Sequence, residues 1–398
     1  MDTVNEFRQD FPAVTICNLN SVRKEFEHCL KRQLNYDNCA SVSPNQMVPE
    51  KTSPHLTKPN CFVDKIYSKE HQDFAYMVNS LSFINESSRI LYGHQAESFI
   101  RSCSFNGESC SHTDFQVFND IVNGNCFTFN MASEEKTPMK TSFIGPNGGL
   151  ELELNVEPEE YLSSTRSIGA KVIIHDPYHD PNTQDEGVYV SPGFETSVAL
   201  SRITMERLPP PYKDHCFDYK AEESQKKCSL RCFQEAIYAH CFCNFPQGII
   251  IEGVRMCDLT DPEDFCCMNR KVEDENCDCP LPCTTTSYET KLSTALWPSN
   301  AFFQDNFYLL SAELGLDAFE TFREANLRVK VYYDTLEHSI YKQKPMFENS
   351  EVLSQIGGQM SLWLGFSLVA LFECVENLIL LCQYRRGKVD INKESESK

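Results

Sequence analysis

The stretch IGGQMSLWLGFSLVALFECVENLILL, Ile356–Leu381, decides how the rest of the chain is read. Its 26 residues are enough to cross a bilayer with some tilt. Arg385, Arg386 and Lys388 follow it, so the positive-inside rule puts the C-terminal tail in the cytosol and residues 1–350 outside. Two features do not suit a plain membrane anchor. Glu373 and Glu376 are spaced i, i+3 and share a helix face. A charge at the bilayer centre costs about 2.5–3.5 kcal/mol or more, so such groups face a bundle interior or water. Several copies packed around an axis would turn the pair into rings of carboxylates, a cation-attracting vestibule. The plainer alternative is that both glutamates snorkel to the cytosolic interface. The second feature is Gly365-Phe366-Ser367, which allows close helix approach and also a local break, tolerated where backbone lines a cavity.

The remainder of the chain has an extracellular character. It holds 398 residues with 20 cysteines and a formal net charge of −21, room for one large or two ordinary domains. That acidity argues against nucleic acid as a partner and suits a surface that attracts cations. Eleven of the cysteines lie between Cys216 and Cys283, a density that oxidising compartments favour. The paired spacing of a zinc site is missing and the histidines are scattered, so structural disulfides are expected and no metal. Asn85-Glu86-Ser87 fits a glycosylation sequon. The start, MDTVNEFRQDFPAVTICN, has no apolar signal region. Either the C-terminal span serves as the insertion signal or the natural beginning lies upstream. No G-x-S-x-G, P-loop or H-E-x-x-H occurs, so no enzyme and no cofactor are expected. The acidic loop Asp176–Glu186 does not match an EF-hand and reads as a solvated turn.

The pattern predicts an α+β fold. Strands are expected over residues 11–20, at GLELELNV with its strict alternation, and at AKVIIHDPY, GVYVSPGFETSVALSRITMERL and LRVKVYYDTL. Helices are expected near residues 22–34 and 68–83, at the start of the cysteine-dense part with Cys228 and Cys232 on one face, and in SAELGLDAFETFREAN. A Pro/Ser/Thr-rich loop fills much of residues 41–60.

These segments, in order, resemble the degenerin / epithelial sodium channel / acid-sensing ion channel superfamily. FPAVTICN is similar to the segment just after its first transmembrane helix, and GNCFTFN, GLELELNVEPEEYL, VIIHDP, PGFETSVAL and RLPPPY are similar to its palm. CSLRCFQEAIYAHCFC with CDCPLPCTTTSYET resembles its cysteine-rich thumb, and LSQIGGQMSLWLGFSLVALFECVE its second transmembrane helix. The resemblance implies an extracellular domain over 1–350: finger 21–122, palm and β-ball 123–211, thumb 212–290, knuckle and last palm strand 291–350. A pore-lining transmembrane helix over 351–382 and a cytosolic tail over 383–398 would follow. It implies a plasma-membrane subunit of a homo- or heterotrimeric, amiloride-sensitive, sodium-conducting channel in the lipid bilayer, gated by an extracellular stimulus. Gly365, Phe366 and Ser367 would form the selectivity filter, with Ser361 packed close to Gly365. Glu373 and Glu376 would be the pore acids. Ser354, Gly357 and Gly358 fall in the gating and amiloride region, and Tyr212 at the thumb base would couple the outer domain to the pore. The implied disulfides are Cys17–Cys126, Cys103–Cys110, Cys216–Cys283, Cys228–Cys279, Cys232–Cys277, Cys243–Cys257, and Cys241 with Cys266 or Cys267. Cys29, Cys39, Cys61 and the remaining thiol of the doublet are left without assigned partners. Two departures stand out. Phe366 replaces a small residue, and the family's first transmembrane helix and cytosolic His-Gly motif are not in the sequence. The rival expectation is a truncated, non-conducting, single-span receptor or adhesion module.

Overall fold

The computed structural model describes residues 2–5, 7–40, 69–133, 135–219, 223–261, 263–268, 277–307, 317–347, 349–365 and 367–395. The loop expected over 41–60, and Cys61, lie outside them. The chain forms two compact units, Met1–Lys342 and Gln343–Lys398.

The first unit opens with β1 (Asp2–Asn5), β2 (Gln9–Asp10) and β3 (Ala13–Asn18). Five short helices follow: α1 (Glu27–Arg32), α2 (Tyr36–Ala40), α3 (Lys69–Ser82), α4 (Glu86–Tyr92) and α5 (Ala96–Phe99). Next come β4 (Ile100–Phe105), β5 (Glu108–Cys110), β6 (Phe115–Asp120), β7 (Gly124–Phe129), β8 (Lys140–Thr141), β9 (Leu150–Asn155), β10 (Ala170–His175), β11 (Val188–Val190) and β12 (Phe194–Glu206). Helix α6 (Gln225–Cys241), β13 (Thr284–Leu296), α7 (Asn300–Asn306), α8 (Ala318–Ala325) and β14 (Asn326–Lys342) complete it.

A seven-stranded sheet runs β13-β12-β14-β9-β4-β5, with β1 also on β14. A five-stranded sheet runs β11-β10-β3-β7-β6. They share one hydrophobic core, to which Val14, Ile16, Phe127 and Val172 come from the smaller sheet and Leu150, Leu152, Leu154, Val198 and Val331 from the larger. The alternation in LELELN is realised: Leu150, Leu152 and Leu154 point into the core while the residues between them are half-buried. Strands β3 and β7 are buried at every position. Their second face carries the Cys17–Cys126 cross-strand bond beside Ile173, and the Thr15, Thr128 and His175 side chains linked at 2.8 Å.

Two expectations about organisation change. Strand β13 pairs with β12 along its whole length, so a thumb–knuckle boundary at 290/291 falls inside one strand, and β4 and β5, expected in the finger, belong to the large sheet. The single C-terminal transmembrane helix expected over 351–382 is two helices, α9 (Asn349–Leu364) and α10 (Leu368–Ser395), and the second runs on past 382 without a break.

Candidate functional site

The interruption between α9 and α10 follows from local chemistry. Gly365 has φ +64° and donates its N–H to the Ser361 carbonyl at 3.1 Å, the bond that closes a helix through a left-handed residue. Any side chain there would be strained. Two residues on, the Ser367 Oγ accepts from the Ala370 N–H at 3.1 Å and its carbonyl from Leu371 N–H at 3.1 Å, an N-cap. Gly-x-Ser is thus a stop signal followed at once by a start signal. Phe366, between them, lies outside the described residues.

The break changes the membrane reading. Among the described residues no helix is long and apolar enough to cross a membrane. Sixteen residues of α9 rise about 24 Å, short of a hydrocarbon core of about 30 Å. Helix α10 has 28 residues, but Glu373, Glu376, Arg385, Arg386, Lys388 and Asp390 interrupt its apolar run. Both helices nonetheless present bare apolar surface: Leu362 and Trp363 are each 78% exposed, and Phe372 68%. Glu373 and Glu376 are exposed on α10, as are the free thiols of Cys374 and Cys382. Ser354, Gly357 and Gly358 are exposed on α9, with nothing within 4 Å of where a Cβ would stand on either glycine. The C-terminal unit therefore holds Ser354 to Glu376, whereas Tyr212 belongs to the first unit. Tyr212 is 40% exposed, in a turn whose N–H groups bond Tyr212 to Pro209 (3.2 Å) and His215 to Tyr212 (3.1 Å).

The segment expected as the thumb is built on α6. Ser224 caps it, its Oγ accepting from Lys227 N–H at 3.1 Å. Cys228 and Cys232, one turn apart, join Cys279 and Cys277 of the returning segment. Cys216–Cys283 closes the base, and Cys241–Cys267 and Cys243–Cys257 the far end. The doublet is thereby resolved toward Cys267, and Cys266 is also disulfide-bonded. Cys103–Cys110 links β4 to β5, and Cys29 joins Cys39 in the finger. The acidic loop 176–186 is not merely solvated. Lys227 pairs with Asp180 at 2.9 Å, Lys226 reaches Asn182 and Asp185, and buried Lys171 donates to the Thr183 carbonyl at 2.6 Å. A hydrogen bond to Asp176 raises the His179 pKa above its usual value. Asn85 is exposed and caps α4, its Oδ1 accepting from Ser88 N–H at 2.8 Å.

Three polar hubs gave no periodic signal in the sequence. Asn20 is 1% exposed and ties Val22, Glu160, Leu162 and Thr165 together. Asn79 on α3 clasps the thumb: its amide donates to Asp258 Oδ1 at 3.1 Å and accepts from Leu259 N–H at 2.9 Å. Arg328 lies over the Trp297 and Phe302 rings and bonds Glu153 at 2.6 Å.

A family model described as the amiloride-sensitive sodium channel matches residues 2–377. The chain belongs to that family. Among relatives of this amiloride-sensitive sodium channel family member, the epithelial sodium channel subunit alpha of Xenopus laevis is 28% identical over 78% of this chain and 51% of its own length. Degenerin unc-8 of Caenorhabditis elegans is 28% identical over 75% and 41%. Acid-sensing ion channel 2 of Danio rerio is 29% identical over 91% and 68%. The chain thus spans about half or less of the first two relatives. The family consists of ion channels, which are not enzymes.

Proposed function

We propose that the chain is a subunit of a trimeric, amiloride-sensitive, sodium-selective cation channel of the plasma membrane, built with copies of itself or related subunits. One observation carries the reading: the capped break at Gly365 and Ser367, followed on the next helix by the exposed acids Glu373 and Glu376. A plain anchor needs neither. On this reading α9 and α10 cross the bilayer together, within residues 351–382, and Gly365, Phe366 and Ser367 form the narrow point. The acids line the wet passage below it, where neighbouring copies and water solvate them. The bare apolar surface of both helices then meets lipid or the other copies. Residues 383–398 lie in the cytosol and the first unit outside, carrying a glycan on Asn85. An extracellular stimulus reaches the pore through the thumb and Tyr212, and Ser354, Gly357 and Gly358 flank the amiloride site.

Voltage-clamp recording of cells that express the chain with related subunits tests this. An amiloride-blocked sodium current is expected, enlarged by Ser354→Phe and reduced by Glu373→Gln. Aqueous thiol reagents should modify Glu373→Cys. A surface-expressed chain with no current in any combination, and with Glu373→Cys unreachable from water, would establish the non-conducting receptor instead.

A further inference from the structure

In the first unit three metal-ligating side chains converge on one point. His28 and Cys29 are neighbours on α1, and Cys39 stands on α2. The His28 Nε2 lies 3.1 Å from the Cys29 sulfur and 3.7 Å from the Cys39 sulfur, and the three atoms lie within 4.8 Å of one another. Among the described residues no other three histidine, cysteine or carboxylate side chains meet in this way.

Cys29 and Cys39 are joined as a disulfide. A disulfide that only braces the chain is complete with its two sulfurs. Cys17–Cys126, for comparison, lies against the apolar Ile173. At Cys29–Cys39 one imidazole nitrogen faces both sulfurs. Two cysteine sulfurs and a histidine nitrogen are a ligand set of zinc.

The backbone holds these groups in place without help from the S–S bond. Gln33 closes α1 in a left-handed conformation, its N–H donating to the carbonyls of Cys29 and Leu30. The Leu34 N–H donates to the Cys29 carbonyl at 3.0 Å, and the Cys39 N–H to the Asn35 carbonyl at 2.9 Å. The Asn35 side chain accepts from the Asn85 N–H at 2.9 Å, and the Tyr36 N–H donates to the Ser88 hydroxyl oxygen at 2.9 Å. The α1–α2 turn is thereby pinned to the start of α4. Both cysteines are buried beside Val22, Leu30, Leu81 and Ile84. A Zn²⁺ ion with two thiolates and a neutral imidazole has no net charge, so this apolar shell can hold it without an unpaired buried charge. His28 is half-buried and forms the solvent side.

We propose that His28, Cys29 and Cys39 are a redox-gated Zn²⁺ site. Two equivalents of a small thiol open the gate: the Cys29–Cys39 S–S bond breaks, its sulfurs take up two electrons and two protons, and the small thiols leave as their own disulfide. Zn²⁺ then displaces both protons and binds the two thiolates and His28 Nε2, with water in the fourth position. Zn–S bonds of about 2.3 Å in a tetrahedral site set the sulfurs about 3.8 Å apart, a local opening. The site stands apart from the channel reading.

Differential alkylation tests it. The purified full chain is treated with glutathione without denaturant, freed of it anaerobically, and exposed to iodoacetamide with and without Zn²⁺, and each cysteine is read by peptide mass spectrometry. Zn²⁺ slows modification of Cys29 and Cys39 about tenfold or more in the parent chain. His28→Gln keeps both thiols and loses that protection; an unchanged melting temperature of its oxidised form verifies its fold. Co²⁺ in place of Zn²⁺ gives the parent a thiolate-to-metal absorption that is weakened in His28→Gln and absent when Cys29→Ser and Cys39→Ser are combined. Protection equal in the parent and in His28→Gln, or a cobalt spectrum indifferent to all three substitutions, overturns the site. A Cys29–Cys39 bond that opens only when the chain unfolds overturns the gate.

Discussion

The sheet sandwich and the thumb keep their shapes by different means. In the sandwich, apolar side chains of both sheets meet over a broad contact, with Leu152, Leu154, Val198 and Val331 at 0% exposure. The thumb core is small: Ile237, Met268 and the half-cystines Cys241, Cys243 and Cys257. Much of what would be burial in the sandwich is replaced there by covalent rungs along α6. A disulfide acts mainly on the unfolded chain and is insensitive to how much surface the folded form hides. The thumb can therefore hold its fold with little burial, whereas the sandwich depends on exclusion of water.

The contrast can be broken most directly with reductant. Under non-denaturing reducing conditions residues 223–283 of the thumb should become protease-sensitive while the sandwich strands stay protected, which limited proteolysis with fragment mapping would read. Equal loss in both regions would erase the distinction. Leu152→Ala attacks the other side. It should cost the sandwich about 2–5 kcal/mol in chemical denaturation and leave the thumb's resistance to proteolysis unchanged in native buffer. Removing one rung with Cys228→Ser and Cys279→Ser should cost the thumb about 2–4 kcal/mol, because a covalent constraint is lost from its unfolded state.

The smallest effects come from acid. Hydrogen bonds from Arg255 hold the Asp264 carboxyl below its ordinary range, against a smaller upward push from burial. A carboxyl whose folded pKa is depressed contributes stability above its unfolded value, near 3.9, and loses it as pH falls through the folded value. The thumb should thus soften below about pH 4, and Asp264→Asn should remove that part of the pH dependence. In the sandwich, burial lowers the His175 pKa. Its contribution is complete above the unfolded histidine value of about 6.5 and falls as pH drops below it. Melting curves between pH 7 and 5 should show this decline, and His175→Gln should flatten it.

How much could be read beforehand varied with the kind of signal. Strands β9, β10, β12 and β14 were visible because a half-buried strand must alternate, and residues 150–156 do so strictly. The thumb helix was visible because Cys228 and Cys232 sit one turn apart. The two-helix end was legible as an option only: Gly-x-Ser permits a break, but the Ser367 cap and the positive φ at Gly365 become apparent only when the backbone is seen. Strand β13 was missed because its outward residues alternate in nothing; it is an exposed edge whose register comes from β12. Asn20, Asn79 and Arg328 were missed for a related reason. A single buried polar residue has no period, and its importance lies in partners far along the chain, Asp258 being 179 positions from Asn79.

The interruption at Gly365 has an electrical side as well. A helix that stops leaves its final carbonyl oxygens without amides one turn on, and the summed peptide dipoles place about half a negative charge there. The end of α9 therefore offers oxygen atoms fixed in direction by the backbone and independent of pH. On the proposed channel reading, a partly dehydrated monovalent cation meeting several such ends would find a substitute for lost water that no side-chain substitution can neutralise.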